Sequence, residues 1–361
     1  MRIFNFSAGP STLPLEVLEE VRDEIVDYRG SGMSIVEMSH RSPDYDEVHR
    51  SALTLVRELF GIPDEFDVLF IQGGATMQFG MVPMNLLTEG ALGAYVDTGA
   101  WASKAIGDAA HHGDAYTAWS GEDDGYSRVP GPEEIEIRGG TRYLHLTSNE
   151  TIGGIQFREW PETGVPLIAD MSSDFMSRPI PWDRFDLVYG GVQKNLAPAG
   201  LALVIVRRSI LDNAEQDLAA YFRYSAHVEK GSLYNTPPVF PIYVMEKVLR
   251  WMRNRGGVPA METAAAEKSG LIYRTIDESD GFYLSPIDVA SRSRMNVVFR
   301  IADPALEPRF LDGAAERGLS GLKGHRSVGG CRASIYNAMP LEGVEALSEF
   351  METFQSQSVL A

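Results

Sequence analysis

The sequence predicts an α/β protein of two domains: a larger one built on a parallel or mixed sheet buried on both faces, and a smaller α+β unit at the C-terminus. Three observations lead there. The chain has 361 residues, more than one hydrophobic core usually serves. Between residues 67 and 206, short apolar runs alternate with helical patterns, as in sheets covered by helices on both sides. The pair Gly256-Gly257 then interrupts a helical stretch, and the order of elements changes beyond it.

Taken in order, residues 1–14 form an extended arm expected to pack with the small domain. LPLEVLEEVRDEIVDYR predicts a helix with Leu18, Val21 and Ile25 on one face and Pro14 suited to its first turn. Strand-like DVLFIQ (67–72) precedes GGATMQFGMVPMNLL, and AYVDTG (94–99) precedes WASKAIGDAAHH. RYLHLT (142–147) precedes the turn NETIGG, and PLIAD (166–170) precedes a serine-rich loop. DLVYGG (186–191) precedes QKN, and LALVIV (201–206) precedes RRSILDNAEQ. Ligands of such sheets sit beyond the carboxyl ends of the strands. The acidic segment 121–140 reads as a solvated excursion. The helix VMEKVLRWMRNR closes the large domain (15–256). The small domain (257–361) opens with helical PAMETAAAEKSGLIYRTID, continues with strand-like MNVVFRI and CRASIY, and ends on PLEGVEALSEFMETF. In that last segment Val344, Leu347, Met351 and Phe354 make a core-facing stripe.

Composition removes several classes of function. A net charge of −18 argues against nucleic acid, which needs a basic face, but leaves room for a small anion held by a local arginine cluster. No stretch approaches the roughly 18 apolar residues of a membrane helix. The N-terminal MRIFNFSAGPSTLP lacks the apolar run of a secretory signal, and the single Cys331 fits a reducing cytoplasm. Cys331 itself reads as a small buried hydrophobe. The seven histidines show no ligand spacing, so no metal is expected.

The chemistry-bearing pair is Asp170 and Lys194, both beyond strand ends and both expected in one crevice. Pyridoxal phosphate chemistry needs a lysine to join the cofactor and move the substrate's α proton, and a carboxylate to keep the ring nitrogen protonated. Taken alone, Asp170 could be a cap or turn residue and Lys194 a surface lysine. Lysine is scarce, however: the others are 104, 230, 247, 268 and 323, and Lys104, Lys247 and Lys268 are expected on polar helix faces. Gly73-Gly74-Ala75-Thr76 opens a helix where backbone N–H groups and the Thr76 hydroxyl could cradle an oxyanion, although glycine pairs are common in such turns. Trp101 could stack on a planar ring or simply pack. Thr151 could meet a ring hydroxyl or close a turn, and Asn235 and Thr236 lie on the rigid loop YNTPP. His40-Arg41, Lys323-Gly324-His325-Arg326 and Arg332 supply cations that suit a substrate bearing carboxylate and phosphate, or else surface ion pairs.

The segments FNFSAGP, VEMSHR, QGGATMQF, SNETIGGI, ADMSSD, GGVQKNLAPAGL, YNTPP, SRMNVVF and LKGHRSVGGCRASIYNAMP, in this order, resemble the phosphoserine aminotransferases, a class V family with the fold-type I architecture. The resemblance runs from residue 3 to about residue 350. It implies a mixed, mostly parallel seven-stranded sheet in the large domain. It further implies that Lys194 holds pyridoxal 5'-phosphate covalently, with Asp170 at the ring nitrogen, Trp101 stacked on the ring and Thr151 near its hydroxyl. Ala75, Thr76 and Gln193 would bind the cofactor phosphate, joined by Asn235 and Thr236 from the neighbouring subunit of a homodimer. His40, Arg41, His325, Arg326 and Arg332 would hold substrate anions, Arg332 the carboxylate. Some members carry arginine where Thr76 stands. The implied activity is amino transfer from L-glutamate to 3-phosphohydroxypyruvate in cytoplasmic serine biosynthesis, with the four-carbon 3-hydroxy-2-oxo-4-phosphooxybutanoate of pyridoxine biosynthesis as a further candidate substrate.

Other readings share parts of this pattern. A class V relative acting on serine, alanine or glyoxylate would keep Asp170 and Lys194 without needing the phosphate-binding arginines. A cysteine desulfurase would need a mobile cysteine, for which Cys331 is poorly placed. A dinucleotide-binding module would need the G-x-G-x-x-G turn that the first strand–helix unit lacks.

Overall fold

The computed structural model describes residues 2–359. The chain opens with a two-residue strand β1 (Phe4–Asn5), then helices α1 (Leu15–Glu24) and α2 (Pro43–Phe60). Helix α2 begins where Ser42 Oγ accepts the Tyr45 N–H with Pro43 at the first position, and it ends at the left-handed Gly61. Strands and helices then alternate through β2 (Phe66–Gln72), α3 (Ala75–Leu86), β3 (Leu92–Asp97), α4 (Ala100–Ala109), β4 (Asp114–Ser120) and β5 (Thr141–Thr147). A small hairpin, β6 (Asn149–Glu150) and β7 (Ile155–Gln156), precedes β8 (Leu167–Asp170), β9 (Leu187–Gly191) and β10 (Leu201–Arg207). Helices α5 (Tyr224–Glu229), α6 (Val239–Asn254) and α7 (Gly257–Asp277) follow. The remainder is β11 (Tyr283–Leu284), β12 (Asn296–Ile301), α8 (Glu307–Glu316), β13 (Leu319–Ser320), β14 (Cys331–Ser334) and α9 (Leu341–Val359).

The seven-stranded sheet has the order β2-β10-β9-β8-β5-β3-β4, and β10 alone runs against its neighbours. The other six strands therefore end on the same edge, which collects Gln72, Asp97, Thr147, Asp170 and Gly191. All of β9 and the first six residues of β10 are buried, which explains their unbroken apolar sequence. Each large apolar side chain these central strands remove from water contributes about 1.5–3 kcal/mol. One core cluster packs α2 and α6 on one face of the sheet; a second packs α3 and α4 on the other. A separate cluster joins β12 and β14 to α8 and α9, including the whole Val344, Leu347, Met351 and Phe354 stripe. Helix α7 starts at Gly257 after the left-handed Gly256. The arm's β1 pairs in parallel with β13, Phe4 opposite Leu319.

Two sequence expectations need correction. In α1 the buried residues are Val17 and Val21; Leu18 is only half-buried, and Ile25 falls beyond the helix end at Glu24. Lys247 and Lys268 do not lie on solvated faces, at 1% and 3% exposure. Each has local partners that make its burial tolerable: Lys247 sits between Glu20 (2.5 Å) and Glu24 (2.7 Å), while Lys268 donates to the carbonyls of Tyr336 (2.6 Å) and Met339 (3.0 Å). The 121–140 excursion is largely exposed, pinned by Ile135 and by Arg128 between Asp124 and Glu134. No helix among the described residues is long and apolar enough to cross a membrane.

Candidate active site

Lys194 lies in the tight turn leaving β9. Gly190, at the end of β9, keeps the approach to that turn open, because a Cβ there would come within 2.5 Å of the Phe175 ring and 3.1 Å of the Ser172 backbone. The lysine side chain is buried, and its Nζ donates to Thr151 Oγ1 at 2.6 Å. The same nitrogen stands 5.5 Å from the centre of the Trp101 ring, at the start of α4. Asp170, the last residue of β8, is also buried, and its Oδ1 accepts from Ser172 N (2.8 Å) and Ser172 Oγ (2.6 Å). Burial lowers the pKa of Lys194, while Asp170 and then Glu150 draw it partly back up. Burial likewise raises Asp170, opposed first by Lys194. An amine that gives up its proton more readily than an ordinary lysine is the nucleophile and base that Lys194 is expected to be.

Arg332, on β14, closes the site from the other sheet: its Nη1 donates to the Thr151 carbonyl at 3.2 Å, and its Nε has no partner among the described residues. The strand order places it there, since β14 pairs with β12 and Val298 of β12 packs where the β6–β7 hairpin turns at Gly154. Thus Lys194, Thr151, Trp101, Asp170 and Arg332 converge. Gln193 is adjacent in the turn, half-buried, with its carbonyl accepting Ser11 N–H at 3.1 Å. Ala75 and Thr76 form the first turn of α3 behind Gly73 and Gly74, and no side chain caps that helix end.

Among the described residues, the remaining candidates make no hydrogen bond to Lys194, Thr151 or Arg332. Asn235 is exposed and reaches Gln72 Oε1 at 3.2 Å, while Gln72 Nε2 donates to the Thr236 carbonyl at 2.8 Å. This fastens the 235–236 loop to the carboxyl end of β2. Arg41 and Arg326 are exposed; His40 is half-buried, and so is His325, whose Nδ1 lies 2.7 Å from Ser327 Oγ. Cys331 is wholly buried, and burial pushes its thiol up to about 12, the opposite of what a desulfurase nucleophile needs.

Four contributors were not singled out as site residues. Ser11 hydrogen-bonds the Lys194 carbonyl through its hydroxyl, and a Cβ on Gly9 would stand 3.3 Å from Lys194 Cγ, so the arm roofs the lysine. Asn195 accepts the Asn337 N–H at 3.0 Å, tying the lysine's turn to the segment after β14. Glu150 is fully buried and pushed up to about 7, chiefly by burial. FNFSAGP and NETIGG contain Gly9, Ser11's neighbours and Glu150, but short polar residues in turns carry no periodic signal.

These side chains suit pyridoxal phosphate. Among the described residues, the buried Trp101 Nε1 and Arg332 Nε lack partners and no side chain caps the start of α3, while a buried carboxylate and a buried amine face the same edge. Sheet and site together define a fold-type I pyridoxal-phosphate transferase. The family model described as aminotransferase class-V matches residues 3–347. A curated phosphoserine aminotransferase of Niallia circulans is 52% identical over 355 residues, 98% of each chain. The solved phosphoserine aminotransferase of Bacillus circulans subsp. alkalophilus superposes with a TM-score of 0.97 at 51% identity, covering 99% of each chain. A phosphoserine aminotransferase from Trichomonas vaginalis, solved with pyridoxal phosphate bound, superposes at 0.93 with 35% identity, covering 97% of this chain and 100% of the other. The chain belongs to the phosphoserine aminotransferase family of the class V aminotransferases.

Proposed function

We propose that the chain carries out the reaction of its family: L-glutamate and 3-phosphohydroxypyruvate give 2-oxoglutarate and O-phospho-L-serine, a step of serine biosynthesis. The observation that carries this is the buried Lys194 amine, held 2.6 Å from Thr151 and 5.5 Å from the Trp101 ring, with Asp170 within its field.

Bound pyridoxal phosphate supplies an electron sink for the carbanion that forms at the substrate's α carbon. Lys194 would be its attachment point, Asp170 would face its ring nitrogen, Trp101 its ring and Thr151 its ring hydroxyl, and Ala75, Thr76 and Gln193 would hold its phosphate. Asp170 keeps that nitrogen protonated, and the Ser172 bonds to Oδ1 fix the carboxylate's orientation. Lys194 Nζ takes the proton from the α carbon of the amino acid, and in the return half it delivers one to the α carbon of the keto acid. Thr151, hydrogen-bonded to Nζ, aims the amine. Arg332 binds the α-carboxylate common to both substrates, since its half-buried guanidinium lies beside Thr151 and has donors to spare. His40, Arg41, His325 and Arg326 bind the distal group, which is a carboxylate in glutamate and a phosphate in the keto acid. That phosphate requirement separates this chain from relatives acting on serine, alanine or glyoxylate. The four-carbon phosphorylated keto acid remains a second substrate to assay.

Asn235 and Thr236 serve the cofactor phosphate of a neighbouring subunit, so the working unit is a homodimer in the cytoplasm. Their exposure in the single chain supports this, as does the exposure of Met77 and Tyr234 directly beside Thr76 and Asn235. Lys194→Ala is expected to abolish turnover of both half-reactions; substantial multiple-turnover activity in a steady-state assay would overturn the assignment.

A further inference from the structure

Glu150 has no place in the roles assigned above, yet it is wholly buried one residue before Thr151. Its carboxylate leaves the β6–β7 hairpin and meets the first turn of α4. Oε1 accepts the Ala102 N–H at 2.9 Å and Oε2 accepts the Trp101 N–H at 3.3 Å. A carboxylate is favoured there by the positive end of the helix. Gly99 leaves the space: its φ is +142°, and a Cβ would stand 3.2 Å from Glu150 Cδ.

The hairpin at the other end of this contact is rigid. Gly154 N donates to the Glu150 carbonyl at 2.8 Å, and Asn149 Nδ2 donates to Ser173 Oγ (2.7 Å) and Asn296 Oδ1 (2.8 Å). A Cβ on Gly154 would come within 2.7 Å of Val298. One carboxylate therefore joins the helix that carries Trp101 to the hairpin that carries Thr151, the two side chains that flank Lys194 Nζ at 5.5 Å and 2.6 Å.

We propose that Glu150 is a positioning residue of the reaction, clamping α4 to the hairpin so that the Trp101 indole and the Thr151 hydroxyl keep one spacing across Lys194. The role requires two acceptor atoms aimed at two N–H groups, and so belongs to the ionised carboxylate, the prevailing form above the value of about 7 to which burial raises this group. Glutamine has the same shape, but it offers one acceptor and turns an amide donor against a backbone donor. The proposal rests on the roles given to Lys194, Trp101 and Thr151 above.

The test uses Glu150→Gln and, drawing the same carboxylate back by one methylene, Glu150→Asp, each loaded with pyridoxal phosphate. The readouts are visible circular dichroism per bound cofactor, tryptophan quenching by the cofactor, and separate kcat and KM values. In both variants the dichroic band is expected to weaken, and kcat to fall roughly 10- to 100-fold as the reacting groups lose alignment, with KM for both acids within about threefold of the parent. Parental dichroism and kcat in the folded variants would overturn the proposal. So would a loss of bound cofactor with unchanged kcat per loaded site, because that is a purely structural effect. No visible band in the unsubstituted protein supplied with pyridoxal phosphate would instead overturn the role of Lys194, and this proposal with it.

Discussion

At the scale of the residue, the site is a set of groups whose burial changes what they do. Asp170 and Lys194 were legible in the sequence because each follows an apolar strand, and strand ends share an edge in a parallel sheet. The scarcity of lysine does not by itself single out Lys194. Lys247 and Lys268 are as buried as Lys194, and only their partners differ: two glutamates for one, two carbonyls for the other, a threonine and an indole for Lys194. Partners of that kind lie far apart in the chain, so no local pattern announces them. Arg332 was legible as a cation, but not its bond to the Thr151 carbonyl. Arg332→Ala is expected to raise KM for glutamate and for the phosphorylated keto acid together, by roughly 10- to 100-fold for the loss of a charged hydrogen-bonded contact worth about 1.5–3 kcal/mol. Steady-state kinetics with each substrate varied in turn checks this. A KM change confined to one acid would place Arg332 on the distal group instead.

At the scale of the element, the buried strands were plain from their unbroken apolar runs, whereas β4 and α2 were not picked out. The edge strand β4 (DAYTAWS) is half-exposed and too polar to stand out. Helix α2 is amphipathic, but its burial of Tyr45 and His49 interrupts the expected run of aliphatic residues. Helix α7 carries a buried charge whose effect on stability has a definite sign. Burial lowers Lys268 from 10.5 to about 7. Between those values the unfolded chain holds a proton that the folded chain has released, so this group makes stability rise with pH across the window. Lys268→Met is expected to lower stability overall, leaving the Tyr336 and Met339 carbonyls without their donor, and to flatten the rise between about pH 7 and 9. Denaturant unfolding at several pH values reads both effects. An unchanged slope would mean that Lys268 stays charged in the folded protein.

At the scale of the whole molecule, one chain brings together a lysine, its carboxylate, an indole, a threonine and an arginine, while the 235–236 loop, fastened to Gln72, is exposed, as are Arg41 and Arg326. If subunits share sites, Lys194→Ala and Thr236→Ala chains, mixed and reassociated, should regain activity, because each hybrid dimer holds one site with both residues intact. Activity no greater than the sum of the separate variants would place Thr236 outside its neighbour's site. The net charge of −18 is a property of the surface as a whole, and nothing in the site accounts for it.

The most direct test is the visible absorption of the purified protein loaded with pyridoxal phosphate, recorded after L-glutamate and again after 3-phosphohydroxypyruvate. The band of cofactor joined to Lys194 is expected to fade with glutamate and return with the phosphorylated keto acid. A band that fades with glutamate but does not return with that keto acid would keep the transaminase and contradict the substrate. A protein that develops no such band would contradict the role of Lys194 itself.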